Sequence, residues 1–175
     1  MKINYEIQDN FLPDKQFETL QNILLSNKFN WNFQEYVDFE FEEGIDTFQF
    51  THIFYGEKGG FSPKFEILSP ILDILDPLKL DRIKANLITI TPKIVKNQFH
   101  VDFGSFAARH VSENMKKWTT SIFYVNTNDG YTEFEDGTIV ESVANRLVKF
   151  PTNIGHRGTS CTDEKIRVVI NFNYQ

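Results

Sequence analysis

The stretch of sequence that decides the fold is KIRVVINFN, which covers residues 165–173. Alternate side chains of a strand point to opposite faces, so this strand has one wholly apolar face and one face with an arginine and two asparagines. The apolar face suits packing against helices, whereas a buried charge on the other face requires a partner. The apolar face consists of Ile166, Val168, Ile170 and Phe172, and the polar face consists of Arg167, Val169, Asn171 and Asn173.

Further strand candidates precede this stretch throughout the second half of the chain. They are short and separated by turn signals, a pattern typical of a β-sandwich or a barrel-like double sheet. With the stretch above, the candidates are residues 83–91, 97–102, 119–126, 138–141, 145–150 and 165–173.

Two helices are predicted in the first half of the chain. Apolar residues recur at helical spacing after Pro13-Asp14, and a second stripe follows Ser62-Pro63 and stops at Pro77. Proline suits the first turn of a helix and ends a helix that it interrupts. The first stripe consists of Phe17, Leu20, Ile23 and Leu24, and the second of Phe65, Leu68, Ile71, Leu72 and Leu75.

A hairpin is predicted between these helices, from residues 39–41 through a Glu-Glu-Gly turn to residues 48–54. Helices first and strands later favour an α+β fold in which the helices pack on one sheet. We expect a single domain over residues 1–175, in which residues 1–80 form the helical and hairpin support and residues 81–175 form the β core.

Composition and charge limit the classes of function. The chain has 175 residues, of which 41% are hydrophobic and 24% charged, and its net charge is −6. A nucleic-acid-binding protein usually has a basic excess, so the acidic balance argues against DNA or RNA as a partner. A single cysteine, Cys161, excludes an intrachain disulfide, and no apolar run has the length of a signal peptide or a membrane span. We therefore expect a cytoplasmic protein without a membrane partner, and the sequence leaves its oligomeric state open.

His100-Val101-Asp102 is the pivotal motif of the chain. On a strand, residues i and i+2 point to the same face, so an imidazole and a carboxylate are aimed at one point. A third ligand has to come from elsewhere, and His156 follows a strand candidate and a turn. Two histidines and one carboxylate form the ligand set of non-haem Fe(II) oxygenases, which leaves positions for a co-substrate and dioxygen. The alternative for the tripeptide alone is a half-buried histidine paired with the neighbouring aspartate.

Arg167 and Tyr124 are candidates to bind a co-substrate. A guanidinium binds a carboxylate through a bidentate fork that lysine cannot reproduce, so a dicarboxylate ligand would satisfy Arg167. The alternative is a salt bridge at the surface or the edge of the sheet. Tyr124 shares a strand face with Thr120, Ile122 and Asn126, and it either gives its hydroxyl to the same carboxylate or is a core tyrosine with a satisfied hydroxyl.

Together these motifs resemble the 2-oxoglutarate- and Fe(II)-dependent dioxygenases, most closely their prolyl 4-hydroxylase-like branch. The resemblance covers about residues 80 to 173, and the order and spacing of the whole set are more specific than any one motif. Its motifs are RIKANLITIT at residues 82–91, His100-Val101-Asp102, residues 122–126, Thr132-Glu133-Phe134 with Asp136-Gly137, residues 146–150, His156 and Arg167.

The resemblance implies a double-stranded β-helix, or jelly-roll, core with N-terminal helices packed on its major sheet. It also implies hydroxylation of an unactivated C–H bond, for which a prolyl or other amino-acid residue of a protein, a peptide or a small molecule is the expected substrate. In this reaction 2-oxoglutarate and dioxygen are consumed, succinate and CO2 are released, and ascorbate is a candidate reductant. The implied roles are Fe(II) binding and catalysis for His100, Asp102 and His156, and 2-oxoglutarate binding for Arg167, Tyr124 and Asn171.

Two departures from the family pattern concern the substrate. The family commonly has Gly-Gly before Thr-x-Phe, where this chain has Asp129-Gly130-Tyr131. The prolyl hydroxylase branch often has a tyrosine on the early strand, where this chain has Thr89 and Thr91, or Asn86. Prolyl residues, free amino acids, small metabolites and nucleobases therefore all stay open as substrates. The alternative from a different class is a jelly-roll or cupin-like module that binds a metal or ligand without dioxygenase turnover.

The segment 103–117 is a candidate lid because it is a long insertion beside Asp102. Within it, Arg109 and His110 are interpreted as solvated loop residues or substrate contacts, and His110 ranks below His156 as a metal ligand. His52 on the predicted hairpin is interpreted as a structural or surface histidine.

Overall fold

The computed structural model describes residues 4–37, 48–56, 60–102 and 115–175. Within these residues, ten strands form two antiparallel sheets. The strands are β1 (Glu6–Gln8), β2 (Asn32–Gln34), β3 (Gln49–Tyr55), β4 (Leu80–Thr89), β5 (Thr119–Tyr124), β6 (Tyr131–Phe134), β7 (Ile139–Glu141), β8 (Arg146–Pro151), β9 (His156–Gly158) and β10 (Ile166–Tyr174).

The larger described sheet has seven strands in the order β1-β8-β5-β10-β4-β3-β2, and the smaller has three in the order β7-β6-β9. The two sheets pack together, because Phe134 of β6 and Val140 of β7 lie in one buried cluster with Ile122, Val148 and Val169 of the larger sheet. This is the two-layer antiparallel architecture of a jelly roll.

Two α-helices cover the opposite side of the larger sheet, α1 (Asp14–Leu24) and α2 (Ser69–Leu75), and a short 3-10 helix (Phe65–Leu68) leads into α2. Leu20 of α1 and Ile71 of α2 lie in the same buried cluster as Phe123, Ile170 and Phe172 of the sheet. Burial of each such side chain stabilises the fold by about 1.5–3 kcal/mol. A second 3-10 turn (Met115–Lys117) precedes β5, and none of the described helices has the length and hydropathy of a membrane span.

Strand β10 has the two faces that its sequence predicts. Val168, Ile170 and Phe172 join the cluster under the helices, whereas Val169 joins the cluster between the two sheets. The side of β10 that carries Arg167 therefore faces the interior between the sheets, where the candidate functional residues lie.

The prediction of a strand over residues 97–102 is wrong. This segment makes only isolated bridges, between Lys96 and Thr159 and between His100 and His156. Lys96 and His100 are four positions apart, whereas their partners Thr159 and His156 are three positions apart. The segment 96–100 therefore contains one extra residue, as a β-bulge does. A bulge interrupts the ladder and re-aims the side chains that follow it, which is why no regular strand forms here.

The predicted hairpin is replaced by a different pairing. Strand β3 pairs with β2 and with β4, so its neighbours are Asn32–Gln34 and Leu80–Thr89. Phe39, Phe41 and the predicted turn at residues 42–44 lie outside the described residues, and so do Arg109 and His110.

Candidate functional site

His100, Asp102 and His156 converge at one end of the space between the sheets. One ligand atom from each of the three residues lies within 4.8 Å of the others. The Nε2 atom of His100 is 3.8 Å from Oδ1 of Asp102, and the Nε2 atom of His156 is 3.9 Å from Oδ2 of the same carboxylate. The structure thus brings together three side chains that are up to 56 positions apart in the sequence (residues 100 and 156).

Backbone pairing brings the two histidines to each other. His100 and His156 exchange both backbone hydrogen bonds, at 2.9 and 3.0 Å, and their imidazole centroids are 4.8 Å apart. Each Nδ1 lies near the carbonyl oxygen of the residue two positions earlier, at 3.1 Å from Gln98 and 3.3 Å from Ile154. A carbonyl oxygen can only accept, so Nδ1–H is the donor in both contacts, and Nε2 is the ring atom that faces Asp102.

The environment of His156 fits a metal ligand. Its Nε2 atom is buried without a hydrogen-bond partner among the described residues. Burial, together with the neighbouring His100, lowers the pKa of His156 to about 4, so the imidazole is neutral at neutral pH. A neutral imidazole with an unused lone pair is the form that binds a metal ion.

The Asp102 carboxylate is held by three donors from the larger sheet. Arg82 Nη2 donates to Oδ1 at 3.2 Å, and the side-chain amides of Asn171 and Asn173 donate to Oδ2 at 3.3 and 3.4 Å. Burial would raise the pKa of Asp102, but the charges that His156, Arg82 and His100 can carry lower it well below its usual value. The carboxylate is therefore ionised, as a metal ligand has to be.

Arg167 is a buried guanidinium whose described partners are neutral. Its side chain is almost fully buried, Nε donates to Ser142 Oγ at 2.8 Å, and Nη2 donates to Thr132 Oγ1 at 3.4 Å. Within the described residues it makes no ion pair, and burial lowers its pKa. A buried guanidinium held only by hydroxyls is costly, and a carboxylate ligand would offset this cost.

Gly130 leaves space that the Arg167 side chain occupies. A Cβ atom at Gly130 would lie 2.7 Å from Arg167 Cδ and 2.6 Å from the carbonyl oxygen of Ser160. A Cβ atom at Gly158 would make only an ordinary van der Waals contact, 3.5 Å from Arg167 Nη1. Gly130 lies in the stretch Asp129-Gly130-Tyr131, where the family commonly has Gly-Gly. Because any side chain at this position would clash with Arg167, the structure gives a steric reason for the glycine that is retained.

Tyr124 is fully buried, and its hydroxyl donates to Thr132 Oγ1 at 2.8 Å. Its ring lies 5.8 Å from the guanidinium carbon of Arg167. The hydroxyl is thus satisfied inside the protein, and Tyr124 supports the Thr132 side chain that Arg167 also contacts.

One cleft contains both groups of residues. Its cavity volume is about 70 Å³. It is lined by the three converging side chains, by Arg167 and Asn171, and by Lys84, Asn86 and Asn97. Its chemistry is that of a site for a metal ion at one position and a carboxylate at another.

Several residues of this site were missed from the sequence. Those on β4 have a signal in hindsight, because polar residues alternate there with buried Ile83, Ala85 and Leu87. The hydroxyls around Arg167 have no local signal, since they come from separate strands and turns. His52 lies apart from the site, with its ring nitrogens near Asn30 O and Ser62 Oγ at 2.8 Å each. The missed residues are Arg82, Lys84, Asn86, Asn97, Thr132, Ser142 and Asn173.

Comparison with known proteins gives matches among solved structures. No family model and no curated protein matches the chain. A prolyl 4-hydroxylase from Pseudomonas putida is 16% identical with a TM-score of 0.57, over 99% of this chain and 94% of that one. A prolyl hydroxylase from Trichoplax adhaerens, in complex with a hypoxia inducible factor peptide fragment, is 13% identical with a TM-score of 0.63, over 97% and 82%. HygX from Streptomyces hygroscopicus, with nickel and 2-oxoglutarate bound, is 11% identical with a TM-score of 0.59, over 98% and 82%.

At these identities the likeness establishes the fold. The chain has the double-stranded β-helix fold that these prolyl hydroxylases share, and the matches cover nearly its whole length. The resemblance to the prolyl 4-hydroxylase-like branch and the α+β jelly-roll prediction are both confirmed at the level of the fold.

Proposed function

We propose that the protein is a 2-oxoglutarate- and Fe(II)-dependent dioxygenase that hydroxylates an unactivated C–H bond. One observation carries the proposal: a single cleft contains the converging His100, Asp102 and His156 and also a buried Arg167 that has no acidic partner in the described chain. A ligand with a metal-binding group at one end and a carboxylate at the other would engage both. The fold shared with prolyl hydroxylases supports the same activity.

His100, Asp102 and His156 hold Fe(II) in this proposal. Their Nε2 atoms and a carboxylate oxygen would hold the metal, and Arg82, Asn171 and Asn173 orient the carboxylate. When bound, iron and 2-oxoglutarate supply the oxidising chemistry, which consumes dioxygen and releases succinate and CO2.

Arg167 binds the far carboxylate of 2-oxoglutarate in this proposal. Ser142 and Thr132 hold the guanidinium in place, and Tyr124 holds Thr132. The fork geometry of the guanidinium selects a carboxylate at a defined distance from the metal centre. Asn171 lies on the same face of β10 as Arg167 and lines the cleft, where it would contact the metal-binding end of the co-substrate.

The primary substrate is proposed to be a small molecule or an amino-acid residue of a peptide. The Trichoplax prolyl hydroxylase was solved with a peptide fragment bound, and HygX has also been solved with hygromycin B bound, so proteins of this fold accept both kinds of ligand. The residues that line the cleft, rather than the fold, therefore have to determine the choice.

The test uses metal-free protein under anaerobic conditions. Addition of Fe(II) and 2-oxoglutarate should give a weak visible charge-transfer band, and admission of dioxygen should then form succinate even without a primary substrate. Asp102→Ala should abolish both signals, whereas Asp9→Ala, which removes a half-exposed carboxylate, should keep both. Folded protein that gives neither signal would instead support a jelly-roll module that binds ligands without turnover.

A further inference from the structure

A row of polar side chains crosses three neighbouring strands of the larger sheet beside Asp102. Arg82 of β4 is paired in register with Asn173 of β10, and Asn173 is paired with Thr120 of β5, so the three side chains share one face of the sheet. Arg82 and Asn173 donate to the Asp102 carboxylate, at 3.2 and 3.4 Å. Thr120 lies one strand further along the row, on the other side of Asn173.

The Asn173 amide divides its two N–H groups between Asp102 and Thr120. Its Nδ2 atom donates to Asp102 Oδ2 at 3.4 Å and to Thr120 Oγ1 at 3.1 Å, and the residue is fully buried. Its carbonyl oxygen is buried without a hydrogen-bond partner among the described residues. An unpaired buried carbonyl costs free energy, so the two donated bonds are what hold the amide in this orientation. If the amide turned over, its oxygen would face the ionised carboxylate and be repelled by it.

Thr152 holds the Thr120 hydroxyl in turn. The two hydroxyl oxygens are 2.9 Å apart, and both residues are fully buried. Because Thr120 Oγ1 accepts from Asn173, its own O–H group is left to donate to Thr152. The backbone N–H of Thr152 donates to the carbonyl oxygen of Trp118 at 3.0 Å, which anchors this end of the row just before β5.

The row gives Asp102 a support that its own segment lacks. Within the described chain, residues 97–102 make isolated bridges rather than a strand, so the position of the carboxylate depends on side chains of the larger sheet. The neighbouring side chains of the same layer include the apolar Ile122 and Phe150. An apolar residue of similar size at position 120 would therefore suit the core, and packing alone does not explain a hydroxyl there.

We propose that Thr120 is a positioning residue of the metal centre, which acts through Asn173 on the Asp102 carboxylate. This inference rests on the metal site of the proposed dioxygenase function. Thr120, supported by Thr152, keeps the Asn173 amide turned so that an N–H group faces Asp102. The carboxylate is thereby held in one orientation before the metal binds, and less ordering is needed on binding.

Titration of metal-free protein with Mn(II) under anaerobic conditions tests this role without turnover, with free Mn(II) measured by electron paramagnetic resonance. Thr120→Val removes the hydroxyl and keeps the shape of the side chain, whereas Thr120→Ser keeps the hydroxyl. Ser121→Ala is the matched control, because Ser121 is a fully buried neighbour whose hydroxyl lies 3.0 Å from that of Tyr174, away from the row. Urea unfolding of the same metal-free proteins measures stability separately.

Thr120→Val should bind Mn(II) at least about threefold more weakly than wild type, which corresponds to the loss of one hydrogen bond. Thr120→Ser should recover the wild-type affinity, and Ser121→Ala should keep it even where its stability falls. Asn173→Leu, which removes the amide that contacts Asp102, should weaken binding by about 10–100-fold. Wild-type affinity in Thr120→Val, or no recovery in Thr120→Ser, would overturn the proposal.

Thr152→Val provides a second variant that leaves both Thr120 and Asn173 in place. It should weaken Mn(II) binding in the same direction as Thr120→Val, because the Thr120 hydroxyl loses its support. If Thr120→Val did not fold, wild-type affinity in Thr152→Val would reject the positioning role by itself.

The same measurements separate this inference from the dioxygenase function. Wild-type protein that bound Mn(II) and formed succinate, beside a Thr120→Val variant of equal affinity, would reject the positioning role alone. Mn(II) binding that depends on Thr120, in protein that forms no succinate, would retain the positioning role and reject the dioxygenase function. Absence of Mn(II) binding and of succinate formation in wild type would reject both.

Discussion

The Nη2 atom of Arg82 lies 3.2 Å from Oδ1 of Asp102 and 3.3 Å from the backbone carbonyl oxygen of the same residue. One guanidinium group thus holds both the side chain and the main chain of the proposed carboxylate ligand. Together with Asn171 and Asn173 of β10, this contact from β4 ties the end of the metal motif to the larger sheet. Arg82 therefore controls where the carboxylate points.

Arg82→Gln should weaken metal binding by about 10–100-fold, the range expected when a group that orients a metal ligand is lost. The measurement is titration of metal-free protein with Mn(II) or Fe(II) under anaerobic conditions. Arg146→Gln is the matched control, since the two arginine side chains are 21% and 17% exposed and Arg146 pairs with Asp9 on the surface. Equal metal affinity in the two variants would show that Arg82 does not position Asp102.

Gly130→Ala should displace Arg167 and weaken the binding of 2-oxoglutarate. The new Cβ would lie 2.6 Å from Ser160 O, 2.7 Å from Arg167 Cδ and 2.8 Å from Asn128 Oδ1, so backbone or side chain has to move. We expect a loss of about 1–3 kcal/mol of stability from this overpacking, together with at least about tenfold weaker 2-oxoglutarate binding in calorimetry. Gly60→Ala, where nothing lies within 4 Å of the new Cβ, should change neither value.

The two-faced strand β10 and the His100-Val101-Asp102 motif could be predicted because their signals are local. Within residues 165–173, alternate positions place Arg167 on one face and the apolar residues on the other. The structure has the same two faces, since Val168, Ile170 and Phe172 lie in the core under the helices. The shift in pairing between Lys96 and His100 could not be predicted, because it depends on which residues of β9 lie opposite. Register is set by tertiary packing, so a local pattern does not reveal a bulge.

The residues that hold the site in place were harder to predict than the site itself. Arg82 reaches Asp102 across 20 positions, and Ser142 reaches Arg167 across 25. No regular spacing in the sequence predicts either contact, since each depends on the order of strands in the folded sheet. The motif RIKAN at residues 82–86 contained a usable signal, because its arginine, lysine and asparagine alternate with apolar residues on a strand whose other face is core.

Acid should destabilise the metal-free protein through His156. Burial lowers the pKa of this imidazole from an ordinary value of 6.5 to about 4 in the folded state. Between these two pKa values the unfolded chain binds the proton and the folded chain does not. The free energy of unfolding therefore falls as the pH falls from about 6.5 to about 4. Below pH 4 both states bind the proton, so His156 causes no further change in stability. The expected loss is at most about 3.4 kcal/mol, at 1.36 kcal/mol for each pKa unit.

Urea unfolding of metal-free protein between pH 7 and pH 4 measures this loss. His156→Gln removes the titrating imidazole, so its stability should change less over the same interval. Parallel pH profiles of the two proteins would show that His156 does not titrate as its burial requires.

Arg167→Met should change ligand binding and stability in opposite directions. Loss of the guanidinium should weaken 2-oxoglutarate binding by about 30-fold or more, since removal of one partner of a buried charge pair costs at least about 2 kcal/mol. The ligand-free protein should be as stable as wild type or more stable, because an apolar side chain replaces a buried charge whose hydrogen-bond partners among the described residues are hydroxyls.

Arg146→Met should leave 2-oxoglutarate binding unchanged, since Arg146 pairs with Asp9. Calorimetry with 2-oxoglutarate and urea unfolding without it measure the two effects. If Arg167→Met were instead destabilised and bound 2-oxoglutarate as wild type does, Arg167 would be a structural arginine and the co-substrate site would lie elsewhere.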